Sequence, residues 1–221
     1  MKCRWFLLFA ALLLATAPSA HALVFFDDFS AGSSQWGNER GNWSAAGGVY
    51  NAGSPDNVPP TYSSAQTGLL TDFVMDVDVN NVRDGGLWLR SSYNSGVSGV
   101  LLVTGGFGGT FNGFYWHILS NDSYSAGINY ASYSGLLGSN AHIKVVVSGN
   151  DYKAYVNGSD TPVTTLTTSM FSSGYAGLYD FSVQTFDNVR IDDGQSVVPE
   201  PMTVALLSAG MLGMGIVRRK K

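Results

Sequence analysis

The sequence predicts an all-β domain in which two sheets pack as a sandwich. Its composition favours strands, because Gly, Ser, Thr, Tyr and Val are frequent while the helix formers Glu and Lys are scarce. Apolar and polar residues alternate in residues 73–79 and 142–147, which places the apolar groups on one face of each strand. About a dozen such short segments, separated by turn residues, are typical of a two-sheet sandwich.

The predicted strands follow the chain from one turn signal to the next. No ten-residue stretch between residues 23 and 197 shows a helical period. The clearest unit is residues 141–156, two strands joined at Gly149-Asn150, a dipeptide that favours the positive φ angles of a tight turn. The other strands are predicted at residues 24–29, 42–44, 49–51, 73–79, 86–90, 100–104, 114–119, 126–129, 175–179 and 182–191.

Residues 1–22 are typical of a secretory signal peptide. Lys2 and Arg4 precede an apolar run, and Ala20-His21-Ala22 forms an Ala-x-Ala site that predicts cleavage after Ala22. Cys3, the only cysteine, leaves with this peptide, so the mature protein is predicted to have no disulfide and no thiol chemistry. Export through the secretion translocon follows from this prediction.

The chain ends in an apolar span and a basic cluster. Residues 202–217 carry no charge and would extend about 24 Å as a helix, a little less than the ~30 Å hydrocarbon core of a bilayer. The basic residues 218–221 follow, and the positive-inside rule keeps them in the cytoplasm. We therefore predict a single C-terminal transmembrane helix that anchors the precursor in the inner membrane, rather than a buried helix of a soluble domain.

Val198-Pro199-Glu200-Pro201, directly before this span, completes a pattern that resembles the PEP-CTERM sorting signal of Gram-negative bacteria. The resemblance covers residues 198–221. It implies that an exosortase, an integral-membrane cysteine protease, recognises the Pro-Glu-Pro element and processes the tail. It also implies a final location at the cell surface or in the extracellular matrix, and it does not describe what the domain does there.

Residues 23–191 are predicted to form the folded domain, and the polar residues 192–197 a short tether. Between residues 23 and 197, six Lys and Arg oppose fifteen Asp and Glu, a net charge of about −9. Such a surface repels phosphate groups, which excludes nucleic acid as a partner. The glycine-rich residues 105–109 are not followed by Lys-Ser/Thr, so they are predicted to connect two strands rather than to bind phosphate.

Eight segments of the domain follow one another in a characteristic order: residues 26–29 (Phe-Asp-Asp-Phe), Trp36 with 41–43 (Gly-Asn-Trp), 73–79, 86–90, 142–147, 152–158, 176–179 and 186–190. Together they resemble the concanavalin A-like lectin/glucanase superfamily, in its laminin-G-like and bacterial secreted branches. The resemblance implies a jelly-roll sandwich in which the first and last strands pair and the concave sheet often meets glycans. Activity does not follow from such a fold alone.

Glucan-cleaving members of this superfamily carry a Glu-x-Asp-x-x-Glu strand, in which two Glu side chains do the chemistry. Glu39 is the only Glu between residues 23 and 197, so a mechanism of that type is excluded. Asp76 and Asp78 form the best remaining carboxylate pair, at roughly 6.5–7 Å on one strand face. That spacing suits an inverting glycosidase if one carboxyl group stays protonated, and a solvated strand face is the alternative.

Glycan contact is predicted for a set of aromatic and polar side chains. Period-two alternation places Trp88 and Arg90 on one face, where an indole and a guanidinium offer a flat apolar surface and forked donors to a sugar ring. Tyr155, Tyr115 and His117 could extend that surface, and Asp76 and Asp78 are further candidates for glycan contact. In the alternative interpretation, Trp88 packs under a loop and Arg90 pairs with Asp76 or Asp78 across the sheet.

Calcium is the metal considered, because hard cations take oxygen ligands and secreted sandwiches without disulfides often gain from one. The resemblance implies a structural calcium held by an Asp of the last strand, which corresponds to Asp187. Gly41 could add a backbone carbonyl, and Asp28 is a further candidate. The alternative is that Asp187 caps a turn or pairs with Arg190.

Together these observations predict an exported, non-enzymatic surface protein whose sandwich binds glycan, such as the polysaccharide that its own cell makes. Two alternatives stay open. One is a structural component of the surface or biofilm matrix without specific glycan affinity. The other is a glycoside-active enzyme that uses Asp76 and Asp78.

Overall fold

Fifteen strands make up two sheets in the part of the chain that the computed structural model describes, residues 20–197, with side chains described from residue 22 to residue 194. The strands are β1 Ala20–Asp27, β2 Trp43–Ala46, β3 Val49–Ala52, β4 Ser63–Ser64, β5 Phe73–Asn80, β6 Gly85–Tyr93, β7 Val97–Thr104, β8 Gly113–Ser120, β9 Ser123–Tyr124, β10 Ile128–Ser132, β11 Ala141–Ser148, β12 Asp151–Val156, β13 Thr164–Thr167, β14 Tyr175–Asp180 and β15 Thr185–Val197. One helical turn, Gly106–Gly109, joins β7 to β8.

The first sheet has the strand order β13-β12-β11-β5-β15-β3-β2, and β1 also pairs with β15. The second sheet has the order β10-β8-β7-β6-β14-β4, with β9 beside β8. Every pair whose register is defined is antiparallel, as in the match of β11 with β12 from Ile143 opposite Val156 to Ser148 opposite Asp151. The structure thus confirms the all-β sandwich, the hairpin at residues 141–156 and the pairing of the first and last strands.

The main core lies between the two sheets. Phe73, Met75, Val77 and Val79 of β5 are fully buried there, as their alternation with polar residues predicts. Leu87 and Leu89 of the second sheet pack into the same cluster.

A second apolar cluster lies on the opposite, outer face of the second sheet. It contains Tyr62, Trp88, Val97, Leu101, Val103, Tyr115, Leu119 and Tyr179. Strands β6 and β7 are therefore buried on both faces for most of their length. The covering element is the β3–β4 segment, residues 53–62, whose Thr61 carbonyl accepts a 3.1 Å hydrogen bond from the Trp88 indole.

The last strand differs from the prediction. β15 begins at Thr185 rather than at residue 182, because Ser182 lies in a turn where its N–H donates to Asp180. It also continues to Val197, so residues 192–197 are strand rather than a tether. β5 pairs with the first two of them, Asp192 opposite Val74 and Asp193 opposite Phe73, and the Gly194 N–H donates to the Asp72 carbonyl at 2.8 Å.

Several predictions fall outside the described residues. They concern the start of the signal peptide, the Pro-Glu-Pro element, the apolar span at residues 202–217 and the basic tail. Ala20 and Ala22 of the predicted cleavage site lie in β1. Within residues 20–197, no helix is long and apolar enough to cross a membrane.

Candidate functional site

A cleft of about 370 Å³ opens on the outer face of the second sheet, next to the second apolar cluster. We call it the first cleft. The β3–β4 segment forms one wall, and the loop with the helical turn forms another. Its lining residues are Asn57, Val58, Asp84, Val103, Phe107, Gly108, Tyr115, His117, Tyr124 and Tyr179.

An aromatic cluster of Phe107, Phe111, Tyr115 and Tyr130 stands at this cleft. The rings of Tyr115 and Tyr130 stack with centroids 4.7 Å apart, and Phe107 stacks on Tyr115 at 5.4 Å. Phe111 meets both tyrosines edge to face. Phe107 is 57% exposed and Tyr130 50% exposed, so packed neighbours hold flat apolar rings open to solvent, which suits contact with the C–H face of a sugar ring.

The glycines of the β7–β8 loop allow this arrangement. A Cβ atom on Gly106 would overlap the Tyr115 ring, and one on Gly105, whose φ is 62°, would overlap the Arg83 carbonyl. Phe107 itself has a left-handed φ of 59°. The glycine-rich stretch does connect two strands, as predicted, and its lack of side chains brings Phe107 against Tyr115.

Asp84 is a buried carboxylate in the cleft wall. Its Oδ2 accepts a 2.7 Å hydrogen bond from the Gly108 N–H, which fastens the loop to the sheet. Burial raises the pKa of Asp84 to about 6, although the bond from Gly108 works against that shift. At neutral pH this group is mostly an anionic acceptor, and in mild acid it becomes a donor.

His117 and two tyrosines supply further polar atoms. Nδ1 of His117 lies 2.8 Å from the Ser125 carbonyl, so Nδ1 carries the hydrogen and Nε2 is left as an acceptor. Burial lowers the pKa of His117, which keeps the ring neutral at pH 7. The Tyr124 hydroxyl is buried without a hydrogen bond of good geometry, although Tyr179 is its neighbour.

Comparison with known proteins finds no matching protein-family model and no matching curated protein. Solved structures do match. Carbohydrate binding module CBM66 from Bacillus subtilis superposes with a TM-score of 0.60 over 72% of this chain and 96% of its own, at 19% identity. A Bacillus subtilis protein of unknown function with a galectin-like fold gives 0.58 over 78% and 96%, at 10% identity.

The fold is a concanavalin A-like, galectin-like jelly roll. LamA from Zobellia galactanivorans, solved with laminaritriose and laminaritetraose, has the same fold, with a TM-score of 0.51 over 79% of this chain and all of its own, at 14% identity. At such low identities the likeness concerns the fold alone. Residue roles in this jelly roll have to come from its own geometry.

Tyr115 and His117 are the two predicted glycan contacts that meet in the first cleft. The prediction for Trp88 is wrong, because that side chain is fully buried under the β3–β4 segment. The alternative interpretation, packing under a loop, describes it correctly.

The prediction for Arg90 is also wrong. A bulge in β6 between Leu89 and Ser92, with a positive φ of 45° at Arg90, turns the side chain away from the face of Trp88. Its guanidinium donates to the carbonyls of Thr71 and Phe171 at 2.8 and 2.9 Å. Its ion pair is with Asp72 at 3.1 Å, not with Asp76 or Asp78, and its side chain is 2% exposed.

The remaining predicted contacts belong to the first sheet. Tyr155 lies in β12, half-buried, with the Lys144 ammonium 5.6 Å from its ring centre. Asp76 and Asp78 do share the outer face of β5, where His142 of β11 bridges them at 3.1 and 2.8 Å. Burial alone would lower the pKa of His142, but its hydrogen bonds to the two carboxylates raise it.

The three predicted calcium ligands do not come together. Asp28 accepts hydrogen bonds from Ser30, Gly41 packs against Thr61 and Trp43, and Asp187 lies opposite Asp78 in the first sheet. No group of three His, Cys, Asp or Glu side chains that could hold a metal ion occurs among the described residues. As placed, these residues do not fit a calcium site, and calcium binding stays a prediction.

Sequence reasoning did not point to Asp84, Phe107, Tyr124 or Tyr179 of the cleft lining, nor to Tyr130 of the aromatic cluster beside it. One signal could have pointed to Phe107, a single large aromatic residue inside a run of glycines. The others lie in β9, β10, β14 and the β5–β6 connection, and they come to the cleft through tertiary packing, which the sequence pattern does not determine.

Proposed function

We propose that the jelly roll binds glycan through the first cleft and the aromatic cluster beside it. One observation carries the proposal: the exposed, stacked ring of Phe107 lines the same cleft as the polar groups of Asp84 and His117, and the exposed ring of Tyr130 stacks in the aromatic cluster beside it. Aromatic rings recognise the apolar face of a sugar, and Asp84 and His117 offer acceptors to its hydroxyl groups. The similarity to a carbohydrate binding module supports this proposal.

The electrostatics favour a neutral glycan. None of the described residues that line the first cleft is Lys or Arg, and Asp84 contributes a negative charge. An anionic polysaccharide would bring like charges together without a compensating cation. We therefore expect neutral polysaccharides to bind and uronate-rich or sulfated ones to bind poorly.

A glycan array tests this function with the purified full chain. Tyr130→Ala removes an exposed ring and should lower affinity about tenfold or more, roughly 1.4 kcal/mol or more. Tyr155→Ala is the matched control, because this tyrosine lies on the first sheet and its loss should leave the glycan affinity unchanged. Absence of binding to any glycan, or equal losses in both variants, would contradict the proposal, and the first outcome would favour a structural matrix protein.

We also propose that the protein is not an enzyme. His142 holds both Asp76 and Asp78 on the outer face of the first sheet, whereas inversion needs one carboxylic acid and one carboxylate flanking a bound sugar. A screen of polysaccharides for released reducing sugar should show none. Turnover that disappears in Asp76→Asn or Asp78→Asn would overturn this part.

Export and sorting complete the proposal. The terminal sequences support a precursor that crosses the inner membrane, is held there by residues 202–217, and is processed by an exosortase for display outside the cell. Mass spectrometry of the protein from cells should find Leu23 as the first residue and a shortened C-terminus. Recovery of the uncut chain from the cytosol would contradict it.

A further inference from the structure

The outer face of the second sheet carries another cleft, of about 260 Å³, which we call the second cleft. Its lining residues are Glu39, Tyr62, Ser64, Gln66, Tyr93 and Tyr175. Tyr175 and Tyr179 of β14 point to the same face and line different clefts. The two tyrosines are four positions apart along the strand, so the two clefts lie on the order of 13 Å apart.

An ion pair holds the aromatic wall of the second cleft in place. The Arg40 guanidinium donates to both oxygens of Asp122 at 2.8 and 3.0 Å and lies 5.2 Å from the centre of the Tyr93 ring. Tyr93 also stacks against Tyr62, with ring centroids 6.0 Å apart and an angle of 12° between the ring planes. Tyr93 remains 39% exposed, so a fixed ring faces solvent.

The polar atoms of the second cleft are also fixed. Glu39 accepts a 3.0 Å hydrogen bond from the Ser64 N–H and a second bond from the Ser64 hydroxyl. These bonds orient the carboxylate before any ligand arrives. The exposed amide of Gln66 adds donors and an acceptor at the rim. Asp122 neutralises Arg40, and Glu39 leaves a negative charge in the lining, so the second cleft, like the first, disfavours an anionic ligand and suits a neutral one.

We propose that the second cleft is a further sugar-binding site and that the two clefts bind successive parts of one neutral polysaccharide chain. This inference rests on the function proposed for the first cleft. The β3–β4 segment lies between the two, because its Asn57 and Val58 line the first cleft while Tyr62 lines the second. Two linked sites bind a long chain far more tightly than either alone, because the second contact is intramolecular.

The test uses the purified full chain on an array of neutral glycans of increasing length, including laminaritetraose and laminarin. Tyr93→Ala should weaken binding of long chains by about tenfold to a hundredfold and leave the shortest bound glycans within about twofold. Tyr130→Ala should weaken the binding of long chains and of the shortest glycans alike. Tyr155→Ala is the control, and melting curves of all variants should coincide with that of the wild type.

The outcomes distinguish failure of the second cleft alone from failure of both proposed sugar sites. If long chains bind Tyr93→Ala as they bind the wild type, the second cleft is not a sugar site, while the function of the first cleft stands. If the wild type binds no glycan of any length, both proposals fail. If Tyr93→Ala melts early, Gln66→Ala, at an exposed rim position, replaces it, and the same loss for long chains is expected.

Discussion

Arg90 shows how much a single side chain depends on a local irregularity of its strand. Strict alternation would put it beside Trp88, but the bulge in β6 directs it to Asp72 and to the Tyr152 ring, with its guanidinium 5.5 Å from the ring centre. It also satisfies two backbone carbonyls. A buried cation with four partners stabilises the end of the sandwich, and it is not available to a ligand.

Arg90→Ala should therefore lower the free energy of unfolding by roughly 2–3 kcal/mol, because it leaves two partly buried carbonyls without their side-chain donor and removes the buried partner of Asp72. Arg190→Ala is the matched control. Arg190 pairs with Asp192 at 2.8 Å, but its side chain is 47% exposed, so the loss should stay below about 1 kcal/mol. Urea unfolding of the two variants measures both values, and equal losses would contradict this view of Arg90.

Asp84 makes stability depend on pH in a defined direction. Burial raises its pKa from 3.8 to about 6, so the folded state binds the proton more tightly than the unfolded state does. Asp84 therefore contributes its full stabilisation below about pH 4, and this contribution is lost as the pH rises through about 6. The free energy of unfolding changes by at most roughly 3 kcal/mol through this effect. The raised pKa values of Asp180, about 7, and of His142 act in the same direction.

Asp84→Asn should flatten this dependence. The wild type should melt at a higher temperature at pH 5 than at pH 8, and the variant should show a smaller difference, because its amide oxygen can still accept from Gly108 without titrating. Differential scanning calorimetry at both pH values measures the effect. If the melting temperatures of Asp84→Asn at pH 5 and pH 8 differ as much as those of the wild type, the titration of Asp84 does not cause this pH dependence.

The β3–β4 segment is the element that decides what the second sheet exposes. Thr61 fixes it to β14 through two hydrogen bonds: its hydroxyl donates to the Asp180 carbonyl at 2.6 Å and accepts from the Asp180 N–H at 2.8 Å. With the segment in place, Trp88 is covered and the walls of both clefts are formed. The segment is therefore a structural part of the proposed binding face.

Thr61→Ala removes both of these bonds and leaves two buried backbone groups of Asp180 without a partner. The free energy of unfolding should fall by roughly 1–3 kcal/mol. Thr165→Ala, at an exposed position of β13, should change it by less than about 0.5 kcal/mol. Urea unfolding gives both values. A negligible effect of Thr61→Ala would mean that the segment is held by other contacts.

Strands were predictable from the sequence where one face is apolar and the other polar. The hairpin of β11 and β12 is the best case, because the alternation fixes the face and Gly149-Asn150 fixes the register. The short strands β4, β9 and β13 were missed, because two to four residues carry too little pattern. β6 and β7 are apolar on both faces, so alternation could not show that their outer face is covered.

At the scale of the whole molecule, the jelly roll was predictable and most of the site was not. Sequence segments spread over the domain indicated the fold, and the similarity to solved structures confirms it. The first cleft depends on residues from the β3–β4 segment, the β7–β8 loop, β8, β9 and β14. These come together only through tertiary packing, so Tyr115 and His117 were the only members found in advance.

A crystal structure of the protein with the neutral oligosaccharide that binds best on the array would show directly where the sugar lies. We predict a sugar ring in the first cleft, against the rings of Phe107 or Tyr130 and within hydrogen-bonding distance of Asp84 or His117. A sugar bound on the outer face of the first sheet, near Tyr155 or His142, would contradict it.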